Sequence, residues 1–370
     1  MKILLVSNMY PDDQNPSYGI FVKKTEDFLI NGSHDVTKIV IYKKNSKIKK
    51  LFAYIKHYLM VLFYFVFKSN DIIYVHYASH NALPIILGKT LKKNSVIYVN
   101  VHGSDVVPET NYKKKMQFLV KRLLYISEKI IVPSGYFKKV VQDKYNLEST
   151  KIFISPSGGI SEKIFQPRAV HFSNFGLSPS MKYIGYVGRI DKGKGWDDFL
   201  KAINILVKEN KIGNMRFVLV GNGKYYPEVV DYINKNNIGD YLHLYDLLPH
   251  DKLSEIYNLL EVLVFPTRRY ESLGLVGIEA MACKCPVIGT NIGALPEYVI
   301  NNENGILFEP GDYKALAECI EHFFDMSDEQ RNQMKMNAYL TSMEYFNGKV
   351  MGDFLEFFEK GYIHEKRKTN

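Results

Sequence analysis

Twelve short apolar runs recur along the chain, each about the length of a β-strand. The first six are KILLVSNMY (2–10), VTKIVIY (36–42), DIIYVHY (71–77), SVIYVNVH (95–102), KIIVPS (129–134) and KIFISPS (151–157). The first is ended by Pro11 and Asp12-Asp13, residues that stop a strand. Longer helix-like segments separate most of the runs. Strand alternating with helix predicts an α/β fold with a parallel sheet covered on both faces. The stretch 165–182, FQPRAVHFSNFGLSPSMK, has two prolines and no sustained period, and it reads as a linker. The alternation then restarts with KYIGYVGR (182–189), MRFVLVG (215–221), YLHLYD (241–246), EVLVFPT (261–267), CPVIGT (285–290) and GILFEP (305–310). Two successive α/β domains are the simplest reading.

Composition agrees. A chain of 370 residues, 46% apolar and 24% charged, is long enough for about two domains and is neither disordered nor fibrous. Three cysteines (Cys283, Cys285 and Cys319) are too few for a disulfide scaffold and suggest a reducing compartment. The opening apolar run is short for a secretory signal. Charge is uneven: residues 1–170 carry 26 Lys/Arg against 12 Asp/Glu, whereas the whole chain has 48 against 39. The basic first half is therefore expected to meet something acidic.

Two segments could carry chemistry. In VFPTRRYESLGLVGIE (264–279) a strand ends near Pro266 and a helix is expected to start near Gly274. Glu271 then lies in the loop and Glu279 in the second helical turn, both able to face the cleft at a strand's carboxyl end. The backbone N–H groups of Leu273, Gly274 and Leu275 would point there with the positive end of the helix dipole, which suits a phosphate or a developing anion. Carboxylates accept hydrogen bonds from sugar hydroxyls, although Glu279 could equally solvate a helix face. In GRIDKGKG (188–195), Arg189 and Lys194 supply charge-assisted donors for phosphate oxygens; a solvated turn would have the same composition.

Glu271 and Glu279 at this spacing, followed by AMACKCPVIGTNIGALPE (280–297) and NGILFEPGD (304–312), resemble glycosyltransferase family 4. GRIDKGKG, GNG (221–223) and LPHDKLSEIYNLLEVLVFPT (248–267) fit the same family in the same order. The resemblance implies a GT-B fold: two Rossmann-like domains facing each other across a cleft. An acceptor-side domain would cover 1–168 and a nucleotide-sugar-binding domain 169–345, with a C-terminal helix in 346–370 able to cross back to the first. By the same resemblance, Glu271, His102 and the backbone of Leu273, Gly274 and Leu275 would hold the transferred sugar at the reaction centre. Arg189, Lys194 and Gly19 would hold the diphosphate, and Glu279, Gly221, Tyr245 and Leu248 the nucleoside. Asp105, in HGSD (102–105), and Tyr18 would lie on the acceptor side. Tyr18 stands where the family usually has a second glycine beside Gly19, and Asp246 where it often has glycine.

No metal or other cofactor is expected: the family resembles metal-independent catalysts, and Asp12-Asp13 and Asp197-Asp198 demand no cation. Cys283 and Cys285 lack a second ligand pair at zinc spacing and read as core residues. The segment YIKHYLMVLFYFVFK (54–68) holds ten uninterrupted apolar or aromatic residues, about half of what spans a bilayer. It reads either as a core helix behind a solvated lysine loop or as a surface that presses on anionic lipid, with Lys43–Lys50 and Lys113–Arg122 beside it.

The expected function is a retaining glycosyltransferase. It would move a hexose or N-acetylhexosamine from a UDP- or GDP-sugar to a saccharide acceptor, lipid-linked, in surface polysaccharide synthesis (lipopolysaccharide, capsule or exopolysaccharide). Its location would be cytoplasmic, peripheral at the inner face of the plasma membrane. A nucleotide-sugar epimerase of the same fold and a catalytically dead scaffold are alternatives. A nucleic-acid-binding protein is another, but no helix-turn-helix, zinc-finger or RNA-binding signature appears, so no nucleic acid is expected as a partner.

Overall fold

The computed structural model describes residues 1–16, 18–108 and 110–369, with side chains as far as Tyr362. It divides into two compact units, Met1–Gly158 with Gly348–Asn370, and Gly159–Asn347.

The first unit is a six-stranded parallel sheet of β1 (Lys2–Tyr10), β2 (Asp35–Tyr42), β3 (Ile72–His76), β4 (Val96–Asn100), β5 (Lys129–Val132) and β6 (Ile152–Ile154). Their order is β2-β1-β3-β4-β5-β6, so the winding reverses between β1 and β3. Alternate residues feed two cores. Leu4, Val6, Ile73, Val75, Ile97 and Val99 face one, and Ile3, Leu5, Ile72, Tyr74 and Tyr98 the other. A sheet buried on both faces needs apolar residues at every position, which is why these strands read as continuous runs. Phe354 and Phe358 of the C-terminal helix Asn347–Thr369 complete the second core.

The second unit repeats the plan with β7 (Lys182–Val187), β8 (Met215–Val220), β9 (Leu242–Tyr245), β10 (Leu260–Phe265), β11 (Val287–Thr290) and β12 (Gly305–Phe308). Their order is β12-β11-β10-β7-β8-β9, which reverses between β7 and β10. The stretch 165–182 is not a free linker, and the units divide at Gly158/Gly159 rather than at 168/169. The reason is apolar burial: Ile160, Phe165 and Leu177 sit in the second unit's core, with Phe172 and Phe175 packed against it.

The helix Lys47–Phe67 spans the ambiguous apolar segment. Only His57, Val61 and Phe65 are buried, while Phe52 (66% exposed), Leu59 (64%), Phe63 (50%) and Phe67 (74%) face outward. By length and composition alone it could cross a membrane. Its buried edge instead seats it on the first unit's sheet, where Val61 and Phe65 join the core. Lys47, Lys49 and Lys50 belong to the helix rather than to a loop.

Candidate functional site

Open parallel sheets bind ligands beyond the carboxyl ends of the strands where the winding reverses. In the second unit that position lies between β7 and β10, so the loops 188–195 and 266–274 flank it. A backbone bond and two arginine side chains tie this region together. Arg268 N–H donates to the Gly193 carbonyl at 2.9 Å, and Arg269 Nε donates to the Lys192 carbonyl at 3.0 Å. The Arg268 guanidinium reaches Asp198 (Nε to Oδ2, 2.7 Å) and Asp197 (2.7 Å). Asp197-Asp198 are thus held by an arginine. On the other side, Ile190 N–H donates to the Asn222 carbonyl at 3.0 Å. Gly221, at φ +152°, lies so close to this loop that a Cβ would stand 1.9 Å from the Gly188 carbonyl oxygen.

At the centre, Lys194 Nζ meets Glu271 Oε1 at 2.7 Å, and both side chains are less than one-fifth exposed. The Thr267 hydroxyl donates to the same oxygen at 2.9 Å. The Glu271 backbone is pinned as well, its carbonyl accepting from Ala294 N–H at 3.1 Å. The helix Leu275–Ala282 begins beside it, with Gly274 as N-cap at φ 86° and the Tyr298 hydroxyl on the Gly274 carbonyl at 3.0 Å. Leu273 is buried by its side chain, and Leu275 packs against the same core, so what these residues offer a ligand is backbone. The first N–H groups of a helix lack intrahelical acceptors and attract anions. A cation, a carboxylate and a helix N-terminus therefore converge where a sugar diphosphate could be held: Lys194 can turn to phosphate and leave Glu271 to sugar hydroxyls.

The other predicted residues of this unit have partners of their own. Arg189 is two-thirds exposed and pairs with Asp191 at 3.1 Å; no ion pair joins it to Glu271 among the described residues. Glu279 is largely buried and accepts a hydrogen bond from the Tyr257 hydroxyl at 3.4 Å, so the two glutamates have different partners. Gly221 N–H donates to the Tyr245 carbonyl at 3.0 Å, whereas the Tyr245 hydroxyl is spent on the Phe175 carbonyl at 2.5 Å. Leu248 packs against the core. The exposed Asp246 carboxylate is held below its ordinary range by Asn222 and the Leu247 amide.

In the first unit the reversal between β1 and β3 gathers Tyr18, Gly19, His102 and Asp105 at the carboxyl edge of the sheet. Gly19 is the N-cap of helix Ile20–Asn31 at φ 76°, where a Cβ would meet the Met9 backbone at 2.8 Å. The Tyr18 hydroxyl reaches the Asn8 carbonyl at 3.5 Å. His102 Nε2 lies 3.0 Å from His76 Nδ1, and Phe21 packs on the His102 ring at 4.2 Å. Burial lowers the pKa of both imidazoles, that of His102 to about 3, so the pair is neutral at physiological pH. Asp105 departs from the acceptor-side expectation. It is fully buried, and its carboxylate accepts from the N–H groups of His102, Gly103 and Ala78, each at 3.0 Å. It builds the loop that presents His102.

Sequence reasoning missed Thr267, His76 and Tyr298. Thr267 closes a quoted strand run and His76 sits within another, but only spatial neighbours reveal their partners.

Two doubly wound parallel sheets in one chain, the second carrying this cation–carboxylate pair at its reversal, define a two-domain α/β protein of the Rossmann-like kind. Residues 168–341 match the family described as glycosyl transferases group 1, and through this region the chain belongs to that family. An uncharacterized glycosyltransferase of Methanocaldococcus jannaschii is 32% identical over 258 residues, 69% of this chain and 66% of that one. The capsular polysaccharide biosynthesis glycosyltransferase CapM of Staphylococcus aureus is 33% identical over 189 residues, 49% and 47% of the two chains. The matches therefore span under two-thirds of these relatives' lengths. Among solved structures, HepE of Anabaena in complex with UDP is similar with a TM-score of 0.77, at 14% identity over 97% of this chain and 100% of that one. The fold is a two-domain GT-B type.

Proposed function

We propose that this protein is a retaining glycosyltransferase that moves a hexose or N-acetylhexosamine from a nucleoside diphosphate sugar, UDP-linked in first place and GDP-linked in second. The acceptor is a saccharide carried on a lipid, in the assembly of a surface polysaccharide. The observation that carries this reading is the Lys194–Glu271 pair, at 2.7 Å, beside the N-terminus of helix Leu275–Ala282. In this reading Lys194 and Arg189 stabilise the diphosphate as its charge grows, and Glu271 holds the sugar. Asp197 and Asp198 are occupied by Arg268, which supports chemistry run by protein cations without a metal. The similarity to CapM supports a polysaccharide product, and the likeness to a UDP-bound fold supports UDP.

The protein would work at the cytoplasmic face of the plasma membrane. The outward apolar row on helix Lys47–Phe67, together with its four lysines and no acidic residue, supports that location. The test is mass-spectrometric screening of nucleotide sugars with and without acceptors, repeated with Glu271→Ala and Arg189→Ala. Acceptor-dependent transfer that both substitutions abolish is the expected result. Near wild-type transfer by both variants, or conversion of the sugar with no acceptor present, overturns the reading.

A further inference from the structure

Beside the edge strand β2 lies a groove of about 380 Å³, walled on its other side by helix Lys47–Phe67. Its lining divides by chemistry. Ile39, Ile41 and Met60 give an apolar wall, while Lys44 and Lys56 give two cations. Both lysines are exposed and form no ion pair among the described residues. A third lining cation, Lys38, is already spent on Glu26 (3.0 Å) and the Tyr10 hydroxyl (3.0 Å). No carboxylate lines the groove among the described residues.

A buried histidine, His57, belongs to the same lining and is 3% exposed. Asn81 gives its amide hydrogens to the His76 and Tyr77 carbonyls, so its Oδ1 faces His57 Nε2 at 2.9 Å as an acceptor. The Nε2 of His57 therefore carries the proton, and its Nδ1 is a buried acceptor with no partner.

The geometry points to a binding site for a phosphate-bearing single-chain lipid, with the chain on Ile39, Ile41 and Met60 and the phosphate at Lys44 and Lys56. This rests on the lipid-carried acceptor proposed above and gives that carrier a seat. Lys44 stands two residues beyond the carboxyl end of β2, the edge where open parallel sheets take their ligands, so the bound head lies near the working edge of the sheet. The exposed apolar row of the same helix suits the bilayer surface from which such a lipid would come. A second copy of this chain would bring the same lysines against one another, and free phosphate would leave the apolar wall unused.

Isothermal titration of the full chain tests the site with three probes: dodecyl phosphate below its micellar concentration, inorganic phosphate, and dodecyl maltoside. Dodecyl phosphate is expected to bind at one site, at least tenfold more tightly than either other probe. Lys44→Glu with Lys56→Glu, and separately Ala53→Trp, should weaken it tenfold or more, while UDP binding, which reads the second unit, stays at the wild-type value. Absence of dodecyl phosphate binding, equal binding of inorganic phosphate, or variants that bind like wild type overturns the site. Sugar transfer to a lipid-linked acceptor is measured in parallel. Transfer that survives in variants unable to bind dodecyl phosphate sinks the groove alone, whereas no transfer by wild type sinks the broader reading.

Discussion

Lys194 and Glu271, separated by 77 positions in the chain, meet at 2.7 Å where the second sheet reverses its winding. Each side chain neutralises the other's charge. Lys194→Gln is therefore expected to weaken UDP binding, and Glu271→Gln to leave it near wild type. Each should lower transfer by about 10²-fold or more. Glu271→Gln keeps an amide oxygen where Oε1 accepts from both Lys194 and Thr267, so its melting temperature should stay within a few degrees of wild type. Equal loss of UDP binding in both variants would sink this division of labour.

Gly221 fixes the contact between two ligand-side loops. A Cβ there would stand 1.9 Å from the Gly188 carbonyl oxygen, a backbone atom with no room to yield. Gly221→Ala should cost roughly 3 kcal/mol or more, read as a lower midpoint in urea with an unchanged slope.

Asp105 is expected to matter through folding. Asp105→Ala leaves three amides, those of His102, Gly103 and Ala78, without their acceptor. A loss of about 3 kcal/mol or more in denaturant titration is expected. A stable Asp105→Ala protein with lost transfer would instead return this residue to the chemistry.

Five histidines of the first unit, His34, His57, His76, His80 and His102, titrate below the ordinary histidine range because full or partial burial strips water from the charged form; His80 falls to about 4 and His102 to about 3. As pH falls through about 6.5 the unfolded chain takes up protons that the folded one refuses. Stability should therefore fall on acidification from pH 7 to 5, by at most about 1.4 kcal/mol per pH unit for each such group. His102→Gln should flatten that slope. An NMR titration showing His102 protonated near pH 6.5 would contradict the burial argument.

Phe52, Leu59 and Phe63 are at least half exposed, so glutamate at all three should leave the fold intact. Co-sedimentation with phosphatidylglycerol vesicles should drop tenfold or more, and wild-type binding should weaken as salt rises. A wild-type protein that ignores these vesicles at low salt would sink the membrane location.

Much of this architecture was legible in one dimension. The runs 2–10 and 182–189 fall on β1 and β7, and Gly274 caps the expected helix, because strand runs and helix starts are written in neighbouring residues. The stretch 165–182 misled for a related reason. Prolines and polar residues mark a break in period, but they do not tell whether Phe165 and Leu177 will find a core.

The sequence by itself determined that two α/β units exist, that GRIDKGKG and the Glu271 loop follow strands, and that positive charge gathers in the first half. Those properties live in spacing and composition, which need no partner far along the chain. Only the tertiary structure decided that Lys194 is held by Glu271, that Asp105 serves the backbone, and that Lys44 and Lys56 line one groove with Ile39, Ile41 and Met60. The physical reason is that strand order and helix seating bring distant residues within 3 Å, and charge, burial and hydrogen bonding act at that range whatever the separation in sequence.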